Sequence, residues 1–428
     1  MTQRSIILFI GLFLLFAVIG WALGAANISL LLVQSFAYAL IALGLNIQWG
    51  YGGLFNFGIM GFLMLGGAAV TFVSFPMNAE FWNSDGPMML GRALIAFAAG
   101  ALLVLGVSKS DRLGIRGGWK TALTVVAWII AYIVYRSQID PAAAYIEKLG
   151  TGWVGGLGLH PVLGWLFGGV LAAGVAYIIG KICLGLRTDY LAIATIGISE
   201  IVRALLKNMD WLTRGTLTVS PMPWPVELPQ QLQAQGVSIN DSFVQARLGF
   251  LAIVVVMVAI AFFLVQRAYG GPWGRMMRSI RDNHIAAASM GKNVKQRQLE
   301  IFILGSVLMG IGGAMLVTFG QIYDPGSYQP INHTFLIWVM IIVGGAGNNW
   351  GAVFGALLIY IAWMVSDPVA QWVFNGISGW STDMGWGAIP EIQSRASQMR
   401  VLVLGVVITI ALRFAPRGLI PEMVKRAS

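Results

Sequence analysis

The sequence predicts an all-α protein that passes repeatedly through a membrane, and three observations lead there. Hydrophobic residues make up 57% of the 428-residue chain, charged residues only 10%, and mean hydropathy is +0.77, which excludes a soluble globular chain. Apolar runs of about 20 residues, the length that crosses a hydrocarbon layer, recur from one end to the other. The basic residues gather in a few short stretches between those runs, as they do in the cytoplasmic loops of membrane proteins. A net charge of +10 would suggest nucleic acid in a soluble chain, but no soluble basic domain is present to carry it. Cys183 stands alone, so no disulfide forms within the chain. His160, His284 and His333 are scattered without cysteine or paired carboxylates, so no metal site is expected.

Each segment follows in order. Residues 5–26 form a first apolar run. A Gly-Ala-Ala at its end imitates a signal-peptidase site, but a second run begins at once and only Arg4 precedes it, so a retained span is expected. Residues 29–49 return. Residues 50–68, GYGGLFNFGIMGFLMLGGA, repeat glycines around Asn56, and such small residues let helix backbones approach inside a bundle. The 75–91 loop holds Glu80 and Asp85 and no basic residue, which places it outside. Residues 90–107 lead to Lys109, Arg112, Arg116 and Lys120, which suit the inside. Residues 121–135 cross outward, 136–160 are charge-balanced, and 162–184 cross inward. Residues 189–207 are more polar, with Thr195, Glu200 and Arg203, and a proline-rich extracytoplasmic loop is expected at 209–247.

A span at 248–265 leads to a cytoplasmic loop over 267–300, whose GPWGRMMRSIRDNHIAAASMGKNVKQRQLE (271–300) reads as one basic amphipathic helix with an apolar stripe at Met277, Ile280, Ile285, Ala288 and Met290. It is longer than orientation alone needs, and helix-in-groove docking to a cytoplasmic protein is the expectation. Residues 301–319 cross outward to a turn, and 333–343 and 352–365 are two shorter pieces joined by GGAGNNWG (344–351). Such a pair can be a hairpin or can be re-entrant around a cavity, since irregular backbone at membrane depth must be satisfied by protein or water. An extracytoplasmic loop at 366–398 and a span at 399–412 follow, with Arg413, Arg417, Lys425 and Arg426 in an inside tail. The whole chain, 1–428, thus reads as a single transmembrane domain of about twelve hydrophobic segments with both termini cytoplasmic.

No GxxxxGK[ST] occurs, so the chain has no evident phosphate loop, and the glycine-rich 344–351 stretch reads as a turn between packed helices. The GxxxG spacings at Gly164/Gly168 and Gly351/Gly355 read as helix-packing faces. Glu200 and Arg203, three residues apart, share a helix face and can neutralise each other. The few acids in the spans argue against proton-coupled transport. Candidates for a polar path are Asn46 and Asn56, beside glycine-rich helices, and Thr195, Glu200 and Arg203.

At these residues the chain resembles a known family. Gly274-Arg275 followed by RSIRDNHIAAASMG (278–291) is similar to the cytoplasmic coupling loop of the M-type permeases of branched-chain amino acid ABC importers and their urea and amide relatives. LNIQWGYGGLFNFG (45–58), LRTDYLAIATIGISEIVR (186–203), YDPGSYQP (323–330), IIVGGAGNNWGAVFGA (341–356) and FAPRGL (414–419) follow the family's order. The resemblance implies a non-enzymatic membrane subunit of the vitamin-importer-like architecture in a bacterial inner membrane. It would pair with a homologous permease, two ATPases carrying the ATP and Mg, and an extracytoplasmic solute-binding protein. Under it Arg275, Arg278, Arg281, Asp282, His284, Ala287 and Gly291 form the ATPase-coupling set. Three departures stand out: His284 where the family usually has an acid, Arg214 where it tends to have a glycine, and an inserted pair of segments over 90–135. Arg214, with Thr213 and Thr216, would lie at the outer mouth, where it could attract a carboxylate or an acidic binding protein or be a plain surface arginine. A carrier or channel working alone is the alternative from another class.

Overall fold

The computed structural model describes residues 3–109, 118–385, 387 and 390–422. Among them the regular structure is helical: α1 (Gln3–Leu23), α2 (Ala25–Leu45), α3 (Ile59–Ser74), α4 (Ala79–Trp82), α5 (Gly86–Ser108), α6 (Gly118–Glu147), α7 (Pro161–Cys183), α8 (Thr188–Lys207), α9 (Asp210–Thr213), α10 (Pro229–Ala234), α11 (Ile239–Gly270), α12 (Pro272–Asp282), α13 (His284–Ser289), α14 (Val294–Gly320), α15 (Leu336–Gly344), α16 (Asn349–Asp383) and α17 (Ile392–Phe414). Wide π turns extend α2 over Asn46–Tyr51 and precede α15 over Ile331–Phe335. Arg112, Arg116, Lys425 and Arg426, read above as inside markers, lie outside the described residues.

Nine of the described helices are long and apolar enough to cross a membrane: α1, α2 with its π turn, α5, α6, α7, α11, α14, α16 and α17. The expected count was about twelve. The other three segments are α3 and the 331–344 stretch, which are shorter, and α8, which carries Asp189, Glu200, Arg203 and Lys207.

The core forms where small residues remove the side chains between helices. The helix α14 packs against α7, α3 and α2, and α16 packs against α2, α15 and α17. At the crossing of α3, α7 and α14, a β-carbon on Gly168 would sit 3.2 Å from the Gly66 Cα and 3.4 Å from the Gly310 carbonyl oxygen. One on Gly164 would meet Val70 and Ser74 of α3, so the 164/168 spacing is a packing face. Trp165, on the same helix, is fully buried and donates to Thr318 Oγ1 at 2.9 Å. By contrast α5 and α6 pair with each other and leave most of their apolar surface outward, towards lipid. The described parts of 90–135 are therefore a helix pair at the edge of the bundle.

Four boundaries differ from the sequence reading. Residues 136–147 remain helical in α6, with Arg136 and Asp140 paired one turn apart at 3.1 Å. Residues 239–247, expected in a loop, already belong to α11, whose Ser238 cap accepts from Asp241 N. Residues 366–383, also expected in a loop, continue α16, and Asp367 there accepts from Arg400 of α17 at 2.8 Å. Hydropathy falls where these helices become polar, but their backbone bonds do not stop there. The central basic stretch is two helices and the start of a third. Asn283 leaves helical geometry (φ −156°) and its side chain caps α13 by accepting from Ile285 N and Ala286 N.

Candidate functional site

Two breaks in helical backbone face each other inside the bundle. One is the π turn ending α2 with the irregular 52–58 stretch; the other is the 345–348 loop between α15 and α16. Asparagines bridge them. Asn46 Nδ2 donates to Asn349 Oδ1 at 3.0 Å, and Asn46 Oδ1 accepts from Gly347 N at 2.8 Å. Tyr51 OH donates to Asn349 Oδ1 at 2.6 Å, and Asn349 Nδ2 donates to Gln266 Oε1 of α11 at 2.8 Å. Gly345 and Gly347 hold positive φ (119° and 79°), a backbone that side chains resist, which accounts for glycine at both. The stretch is a turn between packed helices.

A second network lies beside the first. Asn56 Nδ2 donates to Gln48 Oε1 at 2.7 Å, and Gln48 Nε2 reaches Phe302 O and Ser306 Oγ of α14 at 2.8 and 3.1 Å. Asn56 Oδ1 accepts from Gly58 N, and Trp338 Nε1 donates to Asn56 O. Thr195 Oγ1 accepts from Phe57 N at 3.0 Å and donates to Ala192 O, tying α8 to the irregular stretch. Trp338 stacks on Phe55 and Phe57 and meets Trp49 at a tilt, and Trp49 is edge-on to Phe55. Broken backbone thus finds its partners within the protein, the condition for irregular structure at membrane depth.

The path candidates are placed as follows. Asn46, Asn56 and Thr195 are buried, and their polar atoms are engaged by neighbours in this conformation. A cleft of only about 10 Å³, lined by Gly58, Gly61, Thr195 and Ser199 among others, runs between α3 and α8. Glu200 Oε2 pairs with Arg203 Nη1 at 3.3 Å, and Arg203 Nη2 also donates to Gly326 O in the 323–330 turn at 3.2 Å. Beyond the C-terminal end of α8, in α9, Thr213 is buried and its hydroxyl donates to the Leu206 and Met209 carbonyls. Arg214 has left-handed backbone (φ 62°), donates to Thr218 O at 3.4 Å, and leaves its buried Nε without a partner among the described residues. Thr216 is exposed.

On the basic face the seven coupling candidates divide. Arg275, Asp282, His284 and Gly291 are exposed, and Gly291 closes α13 with positive φ. Arg278 lies over the Tyr269 ring, 4.7 Å from its centroid. Arg281 turns inward and donates to Gly50 O at 2.6 Å, Glu422 Oε2 at 2.9 Å and Asp282 Oδ1 at 3.0 Å. Burial works against its charge, but the bonds to Glu422 and Asp282 outweigh it and raise its pKa above the ordinary arginine value. Ala287 is buried. The expected single stripe is two surfaces: Met277 and Ile280 pack inward, whereas Ile285 and Met290 are 68% and 79% exposed, because the break at Asn283 turns α13 away from α12.

Sequence reasoning missed Gln48, Tyr51, Gln266, Tyr269, Asn349 and Glu422. The available signals were polar residues at the ends of apolar runs and a lone acid, Glu422, in an otherwise basic tail. No group of three histidine, cysteine, aspartate or glutamate side chains is placed to hold a metal ion among the described residues.

A polytopic helical bundle with discontinuous helices joined through a buried polar hub is the architecture of a membrane permease. The chain belongs to the family described as branched-chain amino acid transport system / permease component, whose sequence model matches residues 27–412. It is 24% identical over 264 residues to the high-affinity branched-chain amino acid transport system permease protein LivM of Escherichia coli, covering 59% of this chain and 56% of that one. The chain thus spans about half the length of that relative. It is 21% identical over 398 residues to the probable branched-chain amino acid transport permease protein LivM of Methanocaldococcus jannaschii, covering 92% and 93% of the two chains. A shorter likeness, 29% over 163 residues, covers 34% of this chain and 44% of the fructose import permease protein FrcC of Rhizobium meliloti. No solved structure matches the chain. The family is one of transport permeases and not of enzymes.

Proposed function

We propose that this chain is the membrane subunit of an ATP-driven importer for amino acids, branched-chain or related small polar solutes, seated in the inner membrane with both termini cytoplasmic. The carrying observation is the build of α12 and α13. Their outward side presents Arg275, His284, Ile285 and Met290, while Met277, Ile280 and Arg281 fasten the inward side to the bundle. An exposed apolar pair rimmed by basic side chains suits a groove with acidic walls, here on each of two ATPase subunits that bind ATP and Mg. A homologous permease completes the membrane part, in the many-span arrangement of the vitamin importers, and a solute-binding protein delivers the solute.

In this reading residues 267–300 are the cytoplasmic coupling loop, and the non-helical parts of 209–247 and 366–398 lie outside. Closure of the ATPases moves α12 as a rigid body and alternates access to the path. Asn46, Asn56, Thr195, Glu200 and Arg203 flank that path, with Thr213, Arg214 and Thr216 at its outer mouth. Polar groups already engaged within the chain give a weakly binding path, which favours release.

The test is a mild-detergent pull-down of the tagged chain from its native membrane, with mass spectrometry and an ATPase assay. Two nucleotide-binding subunits and a second permease are expected to accompany it. Solute flux through the purified chain alone in liposomes, without ATP, would overturn the proposal in favour of a stand-alone carrier or channel.

A further inference from the structure

Residues 415–422 run as a strap under the hub. Leu419 N and Ile420 N donate to Val343 O and Gly344 O at 2.8 and 2.9 Å, and Pro421 O accepts from Asn348 Nδ2 at 3.0 Å. The strap therefore holds both sides of the break between α15 and α16. It carries Glu422, whose two oxygens separate their partners: Oε2 accepts from Arg281 Nη1 of α12, and Oε1 accepts from Tyr269 OH at the end of α11 at 2.8 Å. The same Arg281 Nη1 also donates to Gly50 O in the π turn of α2. One carboxylate thus joins the basic face to both halves of the hub.

The joint next to it is built on two glycines, with Gly274 of α12 seated on the Tyr269 backbone beyond them. Gly270 and Gly271 link α11 to α12, yet a β-carbon on Gly270 would meet nothing within 4 Å, one on Gly271 would make ordinary 3.5 Å contact, and neither needs left-handed backbone. Packing does not demand glycine there, so the pair reads as a hinge. A helix on a hinge passes on displacement only through its side contacts. For α12 the polar ones are Arg281 to Gly50 and Arg281 to Glu422, charge-assisted and half-buried.

We propose that Glu422 is a positioning residue for coupling: the strap carries the movement of α12 to the hub, and the Glu422–Arg281–Tyr269 clasp is the point of transfer. The proposal rests on the importer reading.

The test uses the complete complex with a reporter cysteine, Ser199→Cys, in a Cys183→Ala background, since Cys183 is the chain's single cysteine. Position 199 lines the cleft between α3 and α8 and is 4% exposed at rest, and its hydroxyl bonds only Ile196 O of its own helix, so maleimide labelling reports opening of that cleft beside the hub. With Glu422 present, ATP plus vanadate is expected to change the labelling rate about fivefold or more, and Glu422→Gln to abolish the change while the ATPases stay bound and hydrolyse ATP. Tyr269→Phe removes one of the two bonds and gives an intermediate loss, which serves if the glutamine variant does not fold. A Glu422→Gln complex that responds like its parent, or one that sheds its ATPases, overturns the clasp and leaves the importer reading standing. A parent complex without bound ATPases, or with labelling indifferent to ATP, overturns the importer reading and the clasp with it.

Discussion

Asn349→Ala probes the hub most directly. The side chain is 1% exposed and makes three bonds: it accepts from Asn46 and Tyr51 and donates to Gln266. Truncation leaves the buried Tyr51 hydroxyl and Asn46 amide without this partner, while the Gln266 carbonyl, on an exposed residue, can turn to its surroundings. In soluble interiors a lost hydrogen bond lowers stability by about 0.5–1.5 kcal/mol, and between membrane helices the average is about 0.6 kcal/mol, because the separated helices also find partners. Three bonds from one residue therefore correspond to about 2–4 kcal/mol. Neighbouring groups in one network are not additive, so Asn46→Ala/Asn349→Ala should lose less than the two single variants together. The assay is SDS-induced unfolding in mixed micelles, followed by tryptophan fluorescence. Asn27→Ala, on an exposed amide that bonds Leu23 O, is the control and should stay within about 0.5 kcal/mol. An Asn349→Ala protein as stable as that control would refute the view that the asparagine bridge holds the two breaks together.

Further outcomes follow from the same geometry. Gly66→Ala drives a methyl group into the Gly310 carbonyl of α14 and should destabilise the bundle by about 3 kcal/mol, whereas Gly174→Ala, with open space around it, should be neutral or slightly stabilising in the same unfolding assay. Arg275→Glu with Arg278→Glu, which spares the inward-turned Arg281, should abolish ATPase co-purification while membrane insertion remains normal, checked by pull-down and membrane fractionation; retained association would refute the docking role. Ile285→Asp and Met290→Asp, on side chains already exposed, should weaken ATPase capture tenfold or more without lowering the chain's own unfolding midpoint. Arg214→Gly relieves left-handed backbone and should leave stability unchanged or raise it by up to about 1 kcal/mol. A fall in uptake in that variant would then report on the outer mouth and not on folding.

Most helices were legible because burial in lipid requires long apolar runs, and hydropathy reads those directly. Helix ends were not. The polar continuations 136–147, 239–247 and 366–383 keep their backbone bonds through caps and ion pairs that depend on partners such as Asp140 and Arg400. Asn46 and Asn56 stood out as amides beside glycine-rich runs. Their partners Asn349 and Gln48 did not, since nothing local distinguishes an asparagine that bridges a distance of 303 residues from one in a turn. The central basic stretch showed its charge, but one asparagine cap splits it, and periodicity over a whole segment averages such a break away.

By itself the sequence determined that this is a helical membrane protein, where its glycine-rich contacts lie, and which face is basic. Those properties follow from composition and local order, because the solvent around each segment selects for them. Only the tertiary structure decided which polar groups meet. It turned Arg281 inward and Ile285 outward, and it carried Glu422 from the tail to the coupling helix. Hydrogen bonds act over about 3 Å in space and are indifferent to separation along the chain, so that pairing is a property of the fold.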